Sequence, residues 1–196
     1  MTETFVFAGD SITDAGRRED HEGWGDGYVR LIAVEVSPGD RVVNAGISGD
    51  RVRDLRRRWD ADVLAAEPTT LTVYVGINDT WRRFDSDDPT SADEFRDDYR
   101  ALLAAATEAG VGRLVLIEPF VLTVVDGQEA WADDLAAKQA VVRELADEFA
   151  AAHVPLQAPF EQAGGVDPAT LAPDGVHPSS RGHALIHAAW RRALRF

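Results

Sequence analysis

The chain has 196 residues, enough for one domain (1–196) whose folding buries roughly 70% of the extended surface without cross-links. It contains no cysteine, which excludes disulfides, cysteine nucleophiles and thiolate metal sites. Its 20 basic and 34 acidic residues leave a net charge of −14, which argues against nucleic acid or an anionic membrane as a partner.

Phe5-Val6-Phe7-Ala8 is a short apolar run ending at Gly9. Tyr28 to Val36 is helical in pattern, and Arg41 to Asn44 is a second strand. Val52 to Leu64 suits one helix. Leu71 to Val75 is β-branched, ends at Gly76, and reads as a central buried strand. Ser91 and Glu94 form a capping box ahead of a helix whose inner face carries Phe95, Tyr99, Leu102, Leu103 and Ala106. Leu114 to Ile117 is the fourth strand. Trp131, Leu135, Val142, Leu145 and Phe149 line a long helix, and Val154-Pro155-Leu156 is a weak fifth strand. Leu185, Ile186, Ala189, Trp190 and Leu194 give a terminal helix. No apolar run approaches the ~20 residues of a membrane span. The first strand begins close to Thr4, so a soluble cytoplasmic protein without a signal peptide is expected. Lys138 is the only lysine, and the alanine-, arginine- and aspartate-rich composition is read as genomic bias rather than salt adaptation.

Alternating strands and helices predict a five-stranded parallel sheet between two helical layers. Right-handed crossovers put every strand-to-helix loop on one edge, where ligands of such sheets bind. Those loops carry Gly9-Asp10-Ser11-Ile12-Thr13, Asn44-Ala45-Gly46-Ile47-Ser48-Gly49, Gly76-Ile77-Asn78-Asp79 and Asp174-Gly175-Val176-His177-Pro178. A serine, a histidine with a nearby carboxylate, and neutral donors form the inventory of acyl transfer. Ser48 is a rival nucleophile, read as a turn residue. Asp10 and Asp79 are read as turn and capping groups. His183 and His187 have metal-like i,i+4 spacing without a surrounding H-E-x-x-H, and are read as ordinary helix residues. Gly23, Gly25 and Gly27 follow no strand directly, so they are not a dinucleotide loop.

The four blocks, in this order across nearly the whole chain, resemble the SGNH, or GDSL-type, hydrolases. The resemblance implies a flavodoxin-like α/β/α sandwich with nucleophile Ser11, base His177 and orienting Asp174. It also implies an oxyanion hole of the Ser11 and Gly46 N–H groups and the Asn78 amide. No metal or organic cofactor is implied. The blocks around Ser11, Gly46 and Asn78, with Arg51-Val52-Arg53-Asp54-Leu55, are similar to those of the family's intracellular acetyl-xylo-oligosaccharide esterases. That similarity points to removal of O-acetyl groups from short sugars through an acetyl-enzyme, and to relatives that can be homo-oligomers. Trp24, Trp81 and Trp131 lie in or near the loops of the active edge and offer flat faces for sugar rings. Arg82 is placed to hydrogen-bond hydroxyls. The alternatives are a lysophospholipase or short-chain thioesterase of the same family, and a non-catalytic carbohydrate-binding or interaction protein on the same fold.

Overall fold

The computed structural model describes residues 2–165 and 167–195. Strands β1 (Thr4–Gly9), β2 (Arg41–Gly46), β3 (Thr70–Tyr74), β4 (Arg113–Ile117) and β5 (Ala152–Val154) form one sheet in the order β2-β1-β3-β4-β5, every pair parallel. Parallel neighbours need crossovers, and helices supply them. Helices α2 (Tyr28–Ala33), α7 (Gln157–Gly164) and α8 (Ser180–Leu194) contribute to the core on one face. Helices α3 (Val52–Arg57), α5 (Ala92–Glu108) and most of α6 (Ala132–Glu148) cover the other. This is the expected three-layer α/β/α sandwich, with the flavodoxin-like strand order.

Strand side chains alternate between the two cores, as a period of two requires. Phe5 and Phe7 of β1 pack with Tyr28 and Trp190, whereas Val6 and Ala8 pack with Leu55 and Tyr99. The fully buried Trp190 lies edge-on or tilted to Phe5 and Phe7, and its Nε1–H donates to Thr72 Oγ1 at 3.0 Å. Truncating such a side chain costs ~3–5 kcal/mol. The buried Lys138 of α6 pairs with Asp134 at 2.5 Å.

Four elements depart from the sequence reading by two residues or more. β2 runs two residues further, to Gly46. The second helix ends at Ala33, short of Val36. β5 covers Ala152–Val154 rather than Val154–Leu156, because Pro155 has no N–H to continue a ladder. The expected helix over 52–64 breaks: α3 ends at Arg57, a wide turn spans Trp59–Val63, and the Leu64 N–H reaches the Trp59 carbonyl five residues back. Three short helices were not foreseen: α1 (Ser11–Asp14), α4 (Ile77–Asp85) and α7. Among the described residues no helix is long and apolar enough to cross a membrane, and no group of three or more His, Asp or Glu side chains is arranged to hold a metal ion.

Candidate active site

The chain leaves β1 at Gly9 and turns at once into α1. Asp10 caps that helix, its Oδ1 accepting the Ile12 N–H at 3.0 Å. Asp10 is fully buried, and burial pushes its carboxyl up to about 7 despite that hydrogen bond. It is a helix cap where the sequence suggested a turn residue, and it fixes the backbone from which Ser11 projects. The Ser11 Oγ lies 3.0 Å from His177 Nε2.

Tight polar bonds tie the β2 loop to α1. Asn44 Nδ2 donates to the Thr13 and Trp24 carbonyls at 2.6 and 2.8 Å. Its Oδ1 accepts the Gly46 N–H at 2.9 Å. Asp14 Oδ2 accepts both the N–H and the hydroxyl of Ser48 at 3.1 Å, so Ser48 is an anchor and not a poised nucleophile. The expected oxyanion role of Gly46 needs correction, since its N–H is committed to Asn44. Gly46 is glycine for a packing reason: a Cβ there would stand 2.3 Å from the Asp14 backbone nitrogen. Three residues on, the exposed Gly49 has an N–H without a partner among the described residues.

The β3 loop delivers Asn78 in the first turn of α4. Its Nδ2 donates one hydrogen to the Asp50 carbonyl at 3.0 Å, leaving the second available. Neighbouring Asp79 is buried, which pushes its carboxyl up to about 7, and its Oδ2 accepts the Val52 N–H at 3.1 Å. Asp79 therefore holds the start of α3 against α4.

Asp174 and His177 share one turn. Asp174 Oδ1 accepts the N–H groups of Val176 and His177 at 2.9 and 2.7 Å, and Oδ2 meets His177 Nδ1 at 2.5 Å. Burial pushes the Asp174 carboxyl up, but the bonds to His177 and to the two N–H groups outweigh it and hold the group below its usual range. Gly175 adopts φ +83°, and a Cβ there would sit 2.2 Å from the Leu122 carbonyl oxygen, so this turn requires glycine. Gln128 bolts the turn down: Nε2 donates to the Asp174 carbonyl at 2.7 Å, while Oε1 accepts the Val124 and Val125 N–H groups at 2.9 Å.

Beside this chain of side chains opens a cavity of about 490 Å³ lined by Trp81, Phe84, Val125, Gln128, Trp131 and Asp174, among others. Phe84 stacks on Trp131 at 5.7 Å, and Trp81 lies 5.5 Å from Trp131 and 6.0 Å from the His177 ring. Trp81 and Trp131 thus sit together next to the histidine. Trp24 does not line this cavity; the Arg30 guanidinium covers its ring at 5.7 Å. Arg82 does not line it either, being paired with Asp85 on its own helix. His183 and His187 have separate partners: His183 Nδ1 accepts the Tyr28 N–H at 3.2 Å, and His187 meets Glu35 at 3.1 Å. Burial pulls His183 down to about 4, so its ring is neutral.

Ser11, His177 and Asp174 form a hydrogen-bonded relay at the carboxyl edge of the sheet, and residues 7–185 match the model of the GDSL-like Lipase/Acylhydrolase family. The chain belongs to that family. This GDSL-like hydrolase acts on carboxylic esters. It is 37% identical to an acetylxylan esterase of Geobacillus stearothermophilus, over 99% of this chain and 94% of that protein. It superposes on the crystal structure of the acetylxylan esterase Axe2 of that organism with a TM-score of 0.89 at 35% identity, covering 99% and 94% of the two chains. Matched structures of Axe2 also include catalytic mutants in which a serine, an aspartate and a histidine are replaced by alanine.

Sequence reasoning about the GDSL-like hydrolase missed Gly49, Phe84 and Gln128. Gly49 stands in the same motif as Gly46, and only the extra length of β2 shifts attention to it. Phe84 lies one helical turn beyond Trp81 and three residues from it, a spacing readable once α4 is known. Nothing local marks Gln128.

Proposed function

We propose that this hydrolase is a serine acetylesterase that removes O-acetyl groups from short carbohydrates, acetylated xylo-oligosaccharides being the reference substrate. The single observation that carries the reading is the Ser11–His177–Asp174 relay opening onto the aromatic cavity. The esterase relatives, named for acetylxylan and for acetyl-xylooligosaccharide, support the choice of acyl group and sugar.

In the tautomer that donates Nδ1–H to Asp174, His177 Nε2 accepts the Ser11 proton as Oγ attacks the acetyl carbonyl carbon. The negative charge on the carbonyl oxygen is met by the Ser11 N–H, the Gly49 N–H and the free hydrogen of Asn78 Nδ2, neutral donors that do not trap the acetate product. The intermediate collapses, the C–O bond to the sugar breaks, and His177 returns the proton to the sugar oxygen. Water, deprotonated by the same His177 nitrogen, then attacks the acetyl-enzyme; the bond to Ser11 Oγ breaks, acetate leaves, and His177 returns the proton to Oγ. Asp174 stays ionised, steers the ring and stabilises its cation. Trp81, Trp131 and Phe84 hold the sugar by ring stacking. In this reading residues 1–196 act as one catalytic unit in the cytoplasm, which fractionation of a host producing the untagged protein tests.

The deciding experiment compares acetylated xylo-oligosaccharides, polymeric acetylxylan, octanoyl esters, acyl-CoA and lysophospholipid at equal enzyme concentration, with fluorophosphonate labelling of Ser11 alongside. Acetylated oligosaccharides should have the highest kcat/KM, and Ser11→Ala should lose the label. Better turnover of lysophospholipid or acyl-CoA replaces the sugar reading with the lipid or thioester one. A chain that binds oligosaccharide, takes no label and turns nothing over is a binding protein.

A further inference from the structure

The helix that follows the β2 loop changes pitch at one residue. α3 closes at Arg57, Arg58 takes φ −114° and ψ 8°, and the wide turn over Trp59–Val63 begins there. Widened turns inside helices are frequent at functional sites. Arg58 stands at this break, its side chain only 14% exposed.

Its guanidinium reaches two loops of the active edge. Nε donates to Asp50 Oδ2 at 2.7 Å, and Nη2 donates to the Gly9 carbonyl at 3.2 Å. Gly9 is two residues before Ser11. Asp50 follows Gly49, and its backbone carbonyl takes the Asn78 amide at 3.0 Å. A third contact, Nη1 to Asp62 at 3.4 Å, steadies the fork from within the wide turn. One planar group therefore bridges the segments that carry the Ser11 and Gly49 donors, and through the Asp50 carbonyl it reaches the third, Asn78. It also faces a second need. Burial pushes the Asp50 carboxyl up, and Arg58 opposes that by hydrogen bond and charge. Without the guanidinium, the half-buried carboxyl would lose the cation that offsets its burial.

We propose that Arg58 is a positioning residue that sets the oxyanion hole, holding the Gly9–Ser11 and Gly49–Asp50 segments in register with Asn78 through its two-point bridge. It touches no substrate; it acts through Asn78 and the two backbone N–H groups. The inference rests on the oxyanion assignment of the proposed function. A lysine at this position keeps the charge but cannot fork between a carbonyl and a carboxylate in one plane. A misplacement of donors by about 1 Å can cost up to ~10²-fold in rate.

The test is a double-mutant cycle on the full chain, read as kcat and KM for 4-nitrophenyl acetate, with a melting curve for each variant. Arg58→Lys should lower kcat by about tenfold or more and leave KM within about threefold, because the donors act mainly in the transition state. In the Asn78→Ala background the same substitution should cost less, since one of the three donors it positions is already gone. Should Arg58→Lys melt early, Asp50→Asn takes its place: it weakens the bridge, keeps the Asp50 carbonyl, and should show the same coupling. Parent-like kcat in folded Arg58→Lys overturns the proposal, as does a loss in kcat that multiplies independently with that of Asn78→Ala. An active Ser11→Ala variant, by contrast, defeats the reading of the whole site whatever Arg58 does.

Discussion

The two halves of the active edge are built by opposite means. Around Ser11, the loops after β1 and β2 are joined by polar side chains that each serve more than one group: Asp14 on the N–H and hydroxyl of Ser48, Asn44 on Thr13, Trp24 and Gly46, Arg58 on Gly9 and Asp50. Around Trp81 the wall is made of stacked rings, with Phe84 40% and Val125 51% exposed. Hydrogen bonds fix direction and distance, whereas ring packing tolerates a change of side chain at modest cost. The first half suits fixed chemistry, and the second suits a leaving group that varies.

The largest effects should come from cutting the fixed half. Ser11→Ala and His177→Ala should each lower kcat by ~10³-fold or more with little change in melting temperature, and the double variant should be no worse than either single, because these groups act as a unit. Steady-state kinetics checks this; activity within tenfold of the parent for Ser11→Ala would move attention to Ser48. Next in size, Asn78→Ala should lower kcat by ~10²–10³-fold and leave KM nearly unchanged. A change confined to KM would make Asn78 a substrate-binding group and blur the division between the halves.

The ring-lined half should answer differently. Phe84→Ala should raise KM for an acetylated xylo-oligosaccharide by ~3–10-fold while kcat/KM for 4-nitrophenyl acetate holds, since about 0.5–1.5 kcal/mol of stacking is lost and the acyl chemistry is not. Equal losses on both esters would mean that Phe84 supports the His177 turn instead of the sugar.

The smallest effect concerns stability and belongs to the buried cap. Asp10 titrates at about 7 in the folded chain against an ordinary 3.8, so the folded state holds the proton more tightly. Its favourable contribution is complete below about pH 4 and disappears as pH rises through 7. Asp10→Asn keeps an acceptor for the Ile12 N–H and removes that loss. The variant's melting temperature relative to the parent should therefore climb between pH 5 and 8.5, by ~2–4 °C for each kcal/mol. A difference that stays constant across that range would contradict the burial argument.

Much of this edge was legible because strand ends punctuate the sequence. Ser11, Asn78 and the Asp174/His177 pair each follow soon after an apolar run or sit in a Gly-Pro turn. Gly46 misled because β2 pairs two residues beyond Asn44, its Gly9 register continuing where hydrophobicity had stopped. The break at Arg58 was invisible for a related reason. Leu55, Trp59 and Val63 keep an i,i+4 apolar spacing, so the pattern reads as one helix while the backbone widens beneath it. Gln128 and Arg58 were unreadable as site residues because the carbonyls that tie them to the site, of Asp174 and Gly9, lie 46 and 49 positions away. Trp24 and Arg82 were misjudged because composition reports a ring or a charge but not its local partner, here Arg30 and Asp85.

Lys138 turns the buried face of α6 into a reporter. Every other basic residue is arginine, and this one amine is 1% exposed and held by Asp134. Succinimide-ester acylation of this side chain in the native protein must wait for α6 to lift from α4. The rate of labelling at Lys138, separated from that of the N-terminal amine by peptide mapping, therefore measures how often the helix backing the aromatic wall opens, without any mutation at all.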